Sequence, residues 1–161
     1  MTQVVDATAD VVSASAVQYI EIQQFYAHQM QAGDGDDFAT WLATFTEDAV
    51  VYANAWPEPV VGRAAISVAN RASSDERAGR GAVHKHFVSM INLTPDAADG
   101  YEEAVTAVFY VAILESVKGE PPRLYRSIRC EDRLVRRGGR WSVRGRRILR
   151  DDLPALATAS A

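Results

Sequence analysis

The chain has 161 residues, 48% of them hydrophobic and 24% charged, with a formal net charge of −4; this is the balance of an ordinary globular domain and excludes a disordered or fibrous chain. The single cysteine, Cys130, excludes an internal disulfide and a multi-cysteine metal site made by one chain, and points to a reducing cytoplasm. No secretory signal and no run of membrane-spanning length is present, so no membrane partner is expected.

Residues 1–13 are small and polar without a sustained period and read as a flexible extension; 14–153 read as a single domain, and 154–161 as a loose tail. From Ala14 to Gln31 the residues Val17, Ile20, Phe25 and Met30 fit a helix with one buried stripe. Gly33 and Gly35 are expected to end it. Asp36 or Asp37 then caps a short second helix in which Phe38, Trp41, Leu42 and Phe45 recur at helical spacing. The stretch T-E-D-A-V-V-Y-A-N-A-W-P-E-P-V-V-G predicts two short strands around a turn at Pro57 and Pro59, and Arg63 to Arg80 a third helix, weaker at its S-S-D-E centre. Four long strands follow, at about 82–94, 101–118, 123–137 and 140–150, separated by P-D-A-A-D-G, K-G-E-P-P and R-R-G-G-R. Segregated helices and an antiparallel meander define an α+β domain.

Within the first of these strands, G-A-V-H-K-H-F-V-S-M-I places His84, His86, Val88 and Met90 on one face by simple alternation. Imidazole titrates unaided near neutral pH, which makes His86 the first candidate for a base. Two histidines at i and i+2 also read as a pair of metal ligands, but no third ligand or H-E-x-x-H cluster accompanies them, so no metal is expected. Cys130 reads as a small buried hydrophobe rather than a nucleophile. No P-loop, dinucleotide fingerprint or G-x-S-x-G is present, and no cofactor is called for. The arginines at 123, 126, 129, 133, 136, 137, 140, 144, 146, 147 and 150 alternate along strands, which sends them to different faces and argues against a nucleic-acid partner. Arg129 and Arg147 are the two considered for an inward position.

The segments F-Y-A-H-Q-M-Q-A-G-D-G-D-D-F-A-T-W-L-A-T-F-T-E-D-A-V, P-V-V-G-R-A-A-I, H-K-H-F-V-S-M and C-E-D-R-L-V-R-R-G-G-R-W-S-V-R-G-R-R, in this order over residues 16–152, resemble the SnoaL-like branch of the nuclear-transport-factor-2-like superfamily, relatives of scytalone dehydratase and ketosteroid isomerase. The resemblance implies a cone-shaped α+β barrel, with N-terminal helices packed on a strongly curved, mostly antiparallel sheet, and a homodimer formed through that sheet. It implies that His86 abstracts a proton beside a carbonyl, that Asp34 (or Asp36 or Asp37) from the loop between the first two helices orients it, and that Tyr26 donates to the developing oxyanion. Met90 stands where the family has asparagine. Trp41, Phe45, Tyr52, Trp56, Met90, Tyr110, Tyr125 and Cys130 are the expected lining of an apolar pocket. The function this implies is a cofactor-independent dehydratase, isomerase or cyclase acting on an apolar cyclic or polyketide-like small molecule of specialised metabolism. A non-catalytic hydrophobic-ligand or assembly module, and a cofactor-free oxygenase or epoxide-opening cyclase, are the alternatives, since one fold hosts many functions.

Overall fold

The computed structural model describes residues 15–154; the expected extension at 1–13 and all but the first residue of the expected tail at 154–161 lie outside the described residues. Helix α1, Ala16–Asp34, starts at Ser15, whose side chain accepts from the Gln18 amide at 3.1 Å, and buries Ile22, Tyr26 and Gln29. It runs past the expected stop at Gly33 and ends at Gly35, whose N–H donates to the Gln31 carbonyl. Gly33 therefore serves close packing rather than termination: a Cβ there would lie 3.1 Å from Trp41 Cδ1. Asp34, expected in a loop, is the last helical residue. Asp37 caps α2, Phe38–Ala43, by accepting from the Thr40 amide.

Strand β1 (Phe45–Ala53) and β2 (Val60–Val61) follow, then α3 (Arg63–Gly79), β3 (Ala82–Pro95), β4 (Glu103–Val117), β5 (Arg123–Arg137) and β6 (Arg140–Arg150). The four long strands form the expected meander, and Gly138 and Gly139, with φ of 58° and 70°, make the tight turn between β5 and β6. The sheet order is β2-β1-β6-β5-β4-β3, antiparallel throughout except where β1 lies parallel to β6. Helix α3 stays continuous through S-S-D-E because Ser74 is buried there, its hydroxyl donating to Asp36 at 3.4 Å.

One face of the sheet carries Val105, Ala107, Phe109, Val111 and Ile113 from β4, with Ile128, Cys130 and Leu134 from β5 and Val143 from β6. Ile22 and Tyr26 of α1 and Ile66 of α3 pack onto them, so that α1 and α3 close the concave side of an α+β cone. Two irregularities re-aim side chains. Between Ser89 and Asn92 the β3–β4 register shifts by a bulge, and Met90, at φ 54°, turns outward with 75% of its surface exposed. Alternation had placed Met90 beside His86; the bulge moves it off the pocket. A second shift, between Arg133 and Leu134 on the β5–β6 pair, sets which β6 arginine faces inward.

Candidate functional site

Strand β3 is a sheet edge, so every second amide on its free side lacks a strand partner. Helix α1 packs along β3, and its last residue fills one of these vacancies. Asp34 Oδ2 accepts the His86 backbone N–H at 2.9 Å, while Oδ1 lies 2.5 Å from His86 Nδ1. With the carboxylate as acceptor, Nδ1 carries the proton, and Nε2 is left with its lone pair and no hydrogen bond among the described residues. Asp36 and Asp37, the alternatives at sequence level, are occupied elsewhere: Asp36 pairs with Arg77 at 2.5 Å and Asp37 caps α2. The pair opens on a hollow of about 340 Å³ between α1 and β3, lined by Tyr26, Met30, Asp34, His86, Val88 and Ile91 among others.

The three expected catalytic side chains thus border one hollow, but Tyr26 is not aimed as expected. Its ring lies on Phe109, centroids 4.5 Å apart, and its hydroxyl donates to Asp132 Oδ2 at 3.0 Å. Burial, reinforced by the Asp132 charge, raises its pKa well above that of free tyrosine. The phenolic proton is committed to Asp132 rather than directed at the hollow.

Asp132 also receives Arg146, through Nε at 2.8 Å and Nη2 at 2.6 Å, and Nη2 bonds Gln29 Oε1 at 2.7 Å. Gln29 in turn donates to Thr44 at 2.6 Å. All of these groups are buried. Burial pulls Arg146 down, but Asp132 outweighs it and holds the guanidinium above its usual value. Sequence reasoning missed this chain, although Asp132 shares strand parity with Ile128, Cys130 and Leu134, which marks it as an acid on a buried face. The inward arginine is Arg146. Arg129 and Arg147, the two considered, stand on the other face near Glu131, at 3.6 and 4.0 Å.

Of the expected lining residues, Trp41, Phe45 and Trp56 surround a second hollow of about 170 Å³, together with Val51, Val60, Ile66 and Ile148, the polar Asn70 and Ser73, and Arg146. Four others are placed differently. Tyr52 and Tyr110 project from the outer face, 44% and 54% exposed, because their strand neighbours Val51, Ala53, Phe109 and Val111 take the inner positions. Met90 is thrown out by its bulge, and Cys130 is sealed in the core, where burial pushes its thiol up to about 12.

Tyr125 and His84 belong to a third cluster. Glu115, its side chain 1% exposed, accepts from Arg80 at 2.8 Å and Arg123 at 2.6 Å and lies 2.8 Å from His84 Nε2. These bonds, that of His84 first, hold its carboxyl down at about 2. Desolvation lowers His84, against the pull of Glu115. The Tyr125 ring packs on His84 and under Arg80, Arg123 and Arg126. The two histidines are each engaged by a separate carboxylate, and no group of three or more His, Cys, Asp or Glu side chains suited to a metal forms among the described residues. No helix among them is long and apolar enough to cross a membrane.

A helix-covered, curved sheet with hollows beneath its helices and an ordered histidine–aspartate pair at its edge defines a small-ligand cone of α+β type. The chain belongs to the SnoaL-like domain family, which matches residues 14–147. It is similar to the structure of Aln2 from a Streptomyces species, at 30% identity over 87% of this chain and 95% of that one, with a TM-score of 0.78. It is also similar to ActVI-ORFA from Streptomyces coelicolor, at 29% identity over 88% and 100%, TM-score 0.77. A third similar structure, from Catenulispora acidiphila in complex with S-DNPA, has 29% identity over 86% and 96%, TM-score 0.70. Among curated proteins none matches the chain.

Proposed function

We propose that the protein is a small-molecule enzyme, of the dehydratase, isomerase or cyclase kind, that moves a proton beside a carbonyl of a cyclic or polyketide-like substrate. The observation that carries this reading is the two-point grip of Asp34 on His86, at 2.9 Å to the backbone N–H and 2.5 Å to Nδ1, with Nε2 left unbonded beside a hollow. In this reading Nε2 takes the proton from the carbon next to the carbonyl, and Asp34 stabilises the imidazolium that forms. The enolate then expels a β-hydroxyl that leaves as water with the proton held on Nε2, takes that proton back at another carbon, or attacks a second carbonyl of the same molecule, whose oxygen receives the proton. The oxyanion donor is not assigned to Tyr26, whose proton is held by Asp132. That a similar protein has been solved with S-DNPA supports a small-molecule ligand for this cone as well.

A positioned base contributes about 10²- to 10⁴-fold in rate. The test is deuterium exchange at the carbon beside the carbonyl, followed by NMR on a panel of aromatic polycyclic ketones. His86→Ala should slow exchange by about that factor with unchanged circular dichroism. Equal rates in the two proteins refute the role.

A second copy of the chain on the outer face of the sheet completes the proposal. Phe87 and Tyr110 are exposed there on adjacent strands, 52% and 54%, with Arg129, Glu131 and Arg147 nearby on the same face. The buried single thiol is in keeping with a cytoplasmic setting.

A further inference from the structure

The hollow around Trp41 and Trp56 is separate from the His86 hollow in its lining, and no residue of the Asp34–His86 pair contributes to it. Its lining side chains are aliphatic or aromatic except for Asn70 and Ser73 on α3 and Arg146 on β6. Arg146 commits Nε and Nη2 to Asp132 and Gln29, and its plane is set further by the Phe45 ring, 5.5 Å from Cζ. Nη1 has no hydrogen bond among the described residues. The guanidinium is thus anchored through two nitrogens and keeps a third without an acceptor among the described residues, in a residue that lines an aromatic cavity.

We propose that this cavity is a binding site for a flat, neutral aryl ketone, or the aryl-ketone end of a larger molecule, whose carbonyl oxygen accepts from Arg146 Nη1. Size sets the ring count: an apolar cavity of about 150 Å³ holds one benzene ring, and this one measures about 170 Å³. Charge sets the oxygen. Asp132 neutralises Arg146, so the site offers a strong donor without a net positive charge, and an anion entering it would lose hydration that no unpaired cation restores. The aromatic walls supply stacking and the guanidinium supplies direction. The assignment does not depend on catalysis by His86.

The test uses acetophenone, its near-isosteric hydrocarbon ethylbenzene, and benzoate, with binding read from the quenching of Trp41 and Trp56. Acetophenone should bind, and should bind more tightly than benzoate. Removing the donor without stranding a charge, in Arg146→Met combined with Asp132→Leu, should reduce the acetophenone-to-ethylbenzene affinity ratio by about tenfold or more. Should that pair fail to fold, Ala69→Phe decides alone: Ala69 of α3 also lines the cavity, and a phenyl ring there should fill it and abolish binding of both neutral probes. His86→Asn should leave all affinities unchanged, which separates this site from the catalytic reading. Absence of acetophenone binding, tighter binding of benzoate, an unchanged ratio in the double variant, unchanged binding in Ala69→Phe, or lost binding in His86→Asn would each overturn the assignment.

Discussion

Replacing Asp132 with leucine tests whether the buried polar chain is a single coupled unit. Three hydrogen bonds end on this carboxylate, two from Arg146 at 2.8 and 2.6 Å and one from Tyr26 at 3.0 Å. Asp132→Leu leaves a guanidinium whose side chain is only 7% exposed without its counter-charge. Breaking a buried pair from one side costs about 3–5 kcal/mol, and the orphaned phenol adds about 1 kcal/mol or more. A domain with a total stability of about 5–15 kcal/mol would lose about a quarter of it or more. Arg146→Met should cost about 3–5 kcal/mol by the same reasoning, since it strands Asp132. The double variant strands no charge and should be more stable than the sum of the single costs by about 2 kcal/mol or more. Urea unfolding, with the slope checked for constancy, measures all three. Costs that add to within about 0.5 kcal/mol would refute the coupling, as would a cost below about 1 kcal/mol for Asp132→Leu.

Asp34→Asn should lower turnover less than His86→Ala, because asparagine can still reach the His86 amide while losing the charge that stabilises an imidazolium; equal rates in Asp34→Asn and the unaltered protein, in the same exchange assay, would remove Asp34 from the mechanism. Glu115 has a folded pKa of about 2, below the ordinary carboxylate value of 4.5, so its bonds stabilise the fold above the ordinary value and are lost as pH falls through about 2; His84, also lowered on folding, withdraws stability in the same direction as it gains a proton. Glu115→Gln should therefore flatten the acid limb of a stability-against-pH curve, and an unaltered limb would show that the cluster is not linked to folding. Tyr110→Glu, on the outer face, should shift a dimer to monomer in sedimentation equilibrium, and an unchanged mass would place any subunit contact elsewhere.

The strand plan could be read directly from the chain because it depends on local chemistry. Gly138-Gly139 and the K-G-E-P-P stretch mark turns whatever surrounds them, and the observed β5 and β6 have the expected bounds of 123–137 and 140–150. The site was harder to read. Asp34 and His86 are 52 residues apart, and only the resemblance to a family paired them; periodicity carries no information about which helix end meets which strand edge. On α1 the stripe expected through Val17 and Ile20 is exposed and Ile22, Tyr26 and Gln29 are buried instead, and the partner of the Tyr26 hydroxyl lies 106 residues away. Glu115 could have been found. It follows an inward row that is apolar from Val105 to Ile113, and a buried acid requires partners.

Taken alone, the sequence determined the class and the element order, because hydrophobic alternation and turn residues act within a few positions of themselves. Tertiary structure decided what shifts in strand register control. The bulge after Ser89 sends Met90 to solvent, and the register shift between Arg133 and Leu134 accompanies the inward placement of Arg146 in place of Arg129 or Arg147. A strand's side chains exchange faces with every single-residue slip. Such a slip is settled by packing across the whole sheet, so the residues most important to the hollows were the ones local pattern could least assign.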